Sequence, residues 1–108
     1  MAVSSEYLEY IVELLSPVGS LQTRRMFGGV LLVVEDKQLG IIIDEIVYFK
    51  VISPDLQGKY RETGSVQFSY ARKDKNDPVI INNWWSIPDA AVDDGEEMVR
   101  LAREVLLQ

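Results

Sequence analysis

Apolar residues recur at helical spacing near both ends of the chain and at strand spacing between them. In residues 5–15, SEYLEYIVELL, Leu8, Ile11, Val12 and Leu15 stand at i, i+3, i+4 and i+7, one stripe of an amphipathic helix, with Glu6, Glu9 and Glu13 on the other side. Ser4 or Ser5 is placed to cap its start. Pro17 stops it, because the residue before a proline avoids helical angles. In residues 93–108, DDGEEMVRLAREVLLQ, Met98, Leu101, Ala102, Val105 and Leu106 repeat in the same way. Asp93 with Glu96, and Asp94 with Glu97, have the spacing of a capping box.

The middle of the chain changes period. Residues 26–35, MFGGVLLVVE, read as one strand entered through glycines, its continuous apolar run pointing to burial on both faces or to a period hidden by apolar residues. After the turn DKQ, LGIII (39–43) is a second strand. After DE (44–45), IVYFKV (46–51) is a third, with Val47, Phe49 and Val51 on one face and Tyr48 and Lys50 on the other. Turns this short make the three an antiparallel meander. Residues 53–64 predict a short helix, capped by Ser53 or Asp55 and ended by Gly64. VQFSYARK (66–73) alternates, with Val66, Phe68 and Tyr70 on one face. VIINNWW (79–85) is the fifth strand, ended by Pro88. The expected order is α-β-β-β-α-β-β-α. It implies a two-layer α+β domain spanning residues 1–108, with a five-stranded antiparallel sheet and helices on one face. The other face is then left open or paired with a second copy of the chain.

Composition narrows the chemistry. The 108 residues suit one domain. With no cysteine and no histidine, thiol nucleophiles, imidazole acid–base chemistry and Cys/His zinc sites are excluded. The paired acids at 93–97 have the spacing of caps, Asp74 and Asp77 fall in a turn, and Gly28-Gly29 leads into a strand and not a helix, so it is no phosphate loop. No enzyme activity and no cofactor are expected. No stretch reaches the roughly 20 apolar residues of a membrane span, and the start lacks the pattern of a secretion signal, so a cytoplasmic location is expected. The net charge of −6 opposes phosphate backbones. The basic residues Lys59, Arg61, Arg72, Lys73 and Lys75 read as a solvated face, and direct nucleic-acid binding is not expected.

Three groups remain as candidates. Arg24 and Arg25, side by side in an acidic chain, suit anion or partner capture. The structural alternative is a solvated or internally paired entry to a strand, its favoured version pairing one arginine with an acid of a terminal helix. Met26 and Phe27 read as core or interface edge, and Gly28 and Gly29 as a bulge or close backbone approach. Of Trp84 and Trp85, which face opposite ways on a strand, Trp85 belongs to the more apolar row and is expected in the core. Trp84 is expected on the open face with Tyr48 and Lys50, either as a partner anchor or under the loop leading to Pro88.

RRMFGGVLLVVED, then IVYFKV, QFSY and WWSIP before an acidic helix start, resembles in order and spacing the N-terminal domain of the TfoX/Sxy family. Those bacterial proteins are associated with regulation of natural competence. The resemblance runs from about Arg24 to Leu107. Its signature falls on Arg25, Met26, Phe27 and Gly28, then on Tyr48, Phe49 and Lys50, on Phe68 and Tyr70, and on Trp85 and Pro88. It implies a fold similar to that of type III secretion chaperones, which are small, acidic and dimeric. It also implies a regulatory, protein-interaction role, here without the second domain of longer members. The reading set beside it is a small-molecule or anion-binding module centred on Arg24 and Arg25.

Overall fold

Ser4, Ser53 and Asp94 each accept a hydrogen bond from the backbone N–H three residues on, and each begins a helix. The computed structural model describes residues 4–26, 28–71, 78–88, 91 and 93–108. In it α1 spans Ser5–Leu15, α2 Pro54–Glu62 and α3 Gly95–Leu106. A short 3-10 turn, Ser16–Val18, follows α1. Among the described residues there are six strands: β1 Leu21–Met26, β2 Gly29–Val34, β3 Lys37–Ile43, β4 Ile46–Lys50, β5 Gln67–Ala71 and β6 Pro78–Ser86. All pair antiparallel in one open sheet, ordered β1-β2-β3-β4-β6-β5.

The α+β class and the antiparallel sheet are as expected, but the strand count is six, not five. The run expected as one strand over 26–35 is the second arm of a hairpin whose first arm, LQTRRM, carries little apolar pattern. As the outermost strand β1 packs against one neighbour only, and Gln22, Thr23, Arg24 and Arg25 are exposed. Nothing there requires alternation.

The turns are set locally. Val34 faces Lys37 and Ile43 faces Ile46, so Glu35-Asp36 and Asp44-Glu45 are two-residue hairpin turns. All four residues have positive φ, between 48° and 70°, the mirror-image geometry that matches strand twist. Between β2 and β3 the register slips: Leu32 faces Gly40 but Val33 faces Gln38, and the extra residue, Leu39, is buried in the core.

The core lies between sheet and helices. Val30, Leu32, Val34, Leu39, Ile42, Val47, Phe49, Val51, Trp85 and Ile87 cluster with Ile11 and Leu15 of α1, Leu56 and Tyr60 of α2, and Met98, Leu101, Ala102 and Val105 of α3. Of the helical stripes read from the sequence, Ile11, Leu15, Met98, Leu101, Ala102 and Val105 are buried, while Leu8, Val12 and Leu106 are half-buried. Trp85 is in the core as expected, with the Arg61 guanidinium 5.4 Å from its ring centroid. Gln108 ties α3 to the β4–α2 junction. Its side-chain oxygen accepts from the Ile52 and Ser53 amides, and its nitrogen donates to the Lys50 and Val105 carbonyls. The exposed Lys59–Glu104 pair, 3.9 Å apart, adds little.

One core group is mismatched. Tyr60 is buried, and its hydroxyl has no hydrogen-bond partner among the described residues. Burial, then the Glu104 charge, drives its pKa upward from the ordinary 10.0. Tyr60→Phe is expected to raise unfolding free energy at neutral pH by about 1–2 kcal/mol, since it removes an unpaired buried donor. The raised pKa gives stability that is full below pH 10.0 and falls as pH rises above it. Denaturant melts should therefore show a shallower alkaline loss for Tyr60→Phe. Tyr7 and Tyr48, raised first by the same desolvation, contribute to the loss that remains.

Candidate functional site

Residues opposite each other in the ladder share a face, so the register assigns the face away from the helices. One row runs Arg24, Leu31, Ile41, Tyr48 and Ser86 across β1, β2, β3, β4 and β6. A second brings Lys50 opposite Trp84, and a third pairs Ile43 with Ile46. Tyr48, Lys50 and Trp84 thus share the helix-free face, as alternation indicated. Arg24 is on that face too, but three strands from Tyr48, roughly 14 Å at about 4.8 Å per strand.

This face is less open than expected. With no partner on it, Leu31 is 4% exposed, Ile41 3% and Tyr48 8%. The Phe68 ring meets the Tyr48 ring edge-on, with centroids 5.2 Å apart. The contact bridges the intervening strand because only Ser86 lies opposite Tyr48 there. The β5–β6 register also jumps, from Gln67 facing Trp85 to Phe68 facing Ile81, which leaves residues 82–84 off the β5 ladder. That stretch serves β4 instead: Asn83 accepts from the Val51 amide at 2.8 Å, and Trp84 stands beside Lys50. Tyr48 is therefore a packed member of the face and not an exposed anchor. Trp84 and Lys50 are half-buried, and the Lys50 ammonium donates to Gln38 Oε1 at 3.0 Å. Ile46 is 45% exposed, with Val33, Ile43 and Phe68 half-buried. Ile43 and Ile46 were not singled out from the sequence, although Ile46 shares its parity with Tyr48 and Lys50.

Arg24, Arg25 and Met26 end the outer arm of the β1–β2 hairpin, Gly28 lies at its tip, and Gly29 begins β2. Met26 faces Gly29, and Gly28 between them has φ +74°, a conformation glycine takes without strain. At Gly29 a Cβ would sit 2.5 Å from the Ile42 carbonyl oxygen, so β2 and β3 approach there as closely as the backbone allows. Phe27 lies outside the described residues, as do the side chains of Met26 and Tyr70 and the residues Arg72, Lys73, Asp74, Lys75 and Asp77. Arg24 and Arg25 are both exposed and point to opposite faces. Neither takes part in the ion pairs found among the described residues, so the expected pairing with a terminal-helix acid is not made there. Their divergence also prevents both from gripping one small anion.

A groove of about 650 Å³ lies on the helical side, between α1 and α3. Tyr10, Leu14, Pro17 and Val99 line it, with Glu13 and Glu96, and Arg103, which donates to the Pro17 carbonyl. None of the candidates from the sequence is in it. Its only signal there is Tyr10 and Leu14 at i, i+4, beside the main stripe. Among the described residues no group of carboxylates has a metal-holding arrangement, and no helix is long and apolar enough to cross a membrane.

An open antiparallel sheet with helices packed on one face, a glycine-tipped hairpin at its edge, and Trp85 and Pro88 closing the last strand define an α+β domain of a known kind. The chain belongs to the TfoX N-terminal domain family, whose model matches residues 13–108. No curated protein matches it. Every motif residue noted above falls within the match. The geometry gives the glycine pair a structural reason: Gly29→Ala is expected to lower unfolding free energy by about 1–3 kcal/mol through overpacking against β3, as read by thermal or urea unfolding.

Proposed function

We propose that this chain is a non-catalytic regulatory domain that acts by protein–protein contact through the helix-free face of its sheet. The observation that carries the reading is the contrast within that face. A buried centre of Leu31, Ile41 and Tyr48 is ringed by apolar groups left partly in water, Val33, Ile43, Ile46, Phe68 and Trp84. Apolar surface of this kind gains when a partner removes it from water. Trp84, beside the Lys50–Gln38 pair, has the aromatic and polar neighbours typical of an interface anchor. Membership of a family associated with competence and transcription regulation fits a binding role.

The non-catalytic part of the reading is supported by the residue types available. The sequence has neither histidine nor cysteine. Of the described carboxylates, Asp94 caps α3, Glu97 binds Arg100, and Glu35, Asp36, Asp44 and Glu45 occupy hairpin turns. The anion-module reading centred on Arg24 and Arg25 loses support from their opposed directions.

A second copy of the chain is the first occupant to test. Sedimentation equilibrium from micromolar to millimolar protein is expected to show a reversible dimer. Ile46→Lys should weaken it at least tenfold, since a charge on the contact must then be desolvated. A strict monomer across that range, or a dimer indifferent to both Ile46→Lys and Trp84→Ala, overturns the reading.

A further inference from the structure

The outer edge of β1 combines three features. It ends the sheet, with β2 its one neighbour, so its outward backbone N–H and C=O groups face no strand of the sheet. It runs for six residues, Leu21–Met26, long enough to template another strand. Toward its hairpin end sit two exposed arginines, unpaired among the described residues, in a chain whose net charge is −6.

Arg24 lies on the helix-free face, opposite Leu31, and Arg25 on the helix-bearing face, opposite Val30. They cannot converge on one small anion, but they suit a strand laid alongside β1. Neighbouring residues of an extended segment also point to opposite faces. Two consecutive carboxylates on such a segment would meet one arginine each, one on either side of the sheet. The backbone ladder would give the affinity and the paired charges the register.

We propose that β1 accepts an added strand from a partner protein, an extended segment with two adjacent acidic residues that pair with Arg24 and Arg25. A second copy of the chain is a poor occupant for this edge, because β1 against β1 crowds four guanidinium groups onto one two-stranded ribbon. The edge shares only Arg24 with the helix-free face, three strands from Tyr48, and each proposal fails on its own.

The competing role for the arginines is to keep strands away, since charge on an edge deters pairing. The test separates the two. The probes are synthetic octapeptides of alternating threonine and valine with either Glu-Glu or Gln-Gln at the centre. They are titrated into the labelled full chain and followed by amide NMR and hydrogen exchange. The Glu-Glu peptide is expected to shift the amides of residues 21–26 and slow their exchange. Its affinity should fall at least tenfold in the Arg24→Gln/Arg25→Gln variant, at high salt, and with the Gln-Gln peptide, and should be unchanged in Ile46→Lys. Both arginines are exposed, so the variant is expected to fold, and the wild-type exchange data need no variant. No perturbation of β1 at millimolar Glu-Glu peptide, or equal binding by the double variant, overturns the proposal. Self-association of the double variant with no peptide effect on the wild type also overturns it and assigns the arginines to guarding the edge.

Discussion

Phe49 and Trp85 face each other where β4 meets β6, and the rest of the structure depends on that joint. It links the four-stranded meander to the β5–β6 hairpin. Both rings are almost wholly buried, under a layer to which all three helices contribute. Burial of two large aromatics removes a few hundred Å² from water, a large share of the margin by which a domain of this size is stable. The joint also carries the backbone bonds from Val51 to Asn83 and from Ile87 to Val47. The helix-free face inherits its form from it, because Trp84, which pairs with β4 there, lies off the β5 ladder.

Much of this was legible in the sequence, for reasons that differ by element. The stripe of Met98, Leu101, Ala102 and Val105 was clear because α3 buries one side only. β4 was clear because its two faces meet different surroundings: Val47, Phe49 and Val51 in the core, Lys50 outside it. β1 was not, because its solvent-facing side chains need no alternation. Gly28 and Gly29 were read as a strand entry with a bulge or close backbone approach; Gly29 is that close approach, while Gly28 lies in a turn. The turn expected at DKQ lies one residue earlier, at Glu35-Asp36, where two acids adopt a geometry usually signalled by Asn-Gly.

The site divides in the same way. Parity along β4 and β6 placed Tyr48, Lys50 and Trp84 together, because alternation is a local property of strands. That Tyr48 is covered by Phe68 depends on a register jump between β5 and β6, which no local pattern announces. The groove between α1 and α3 went unmarked because it is made by two helices distant in sequence. Adjacent arginines on one strand invite a reading as a pincer, yet the pleat sends them apart.

The mirror-image hairpin turns have a consequence for how the sheet chooses its sides. β2 and β3 are apolar on both faces, with Leu31 and Ile41 as well buried as Leu32 and Ile42. A one-residue slip would exchange these faces with little hydrophobic loss, so greasiness alone cannot decide which side greets the helices. The decision falls to the acidic pairs at the two hairpin tips, whose left-handed backbones tolerate one alignment. The orientation of the whole platform is thus settled at its ends, by four of its most water-loving residues.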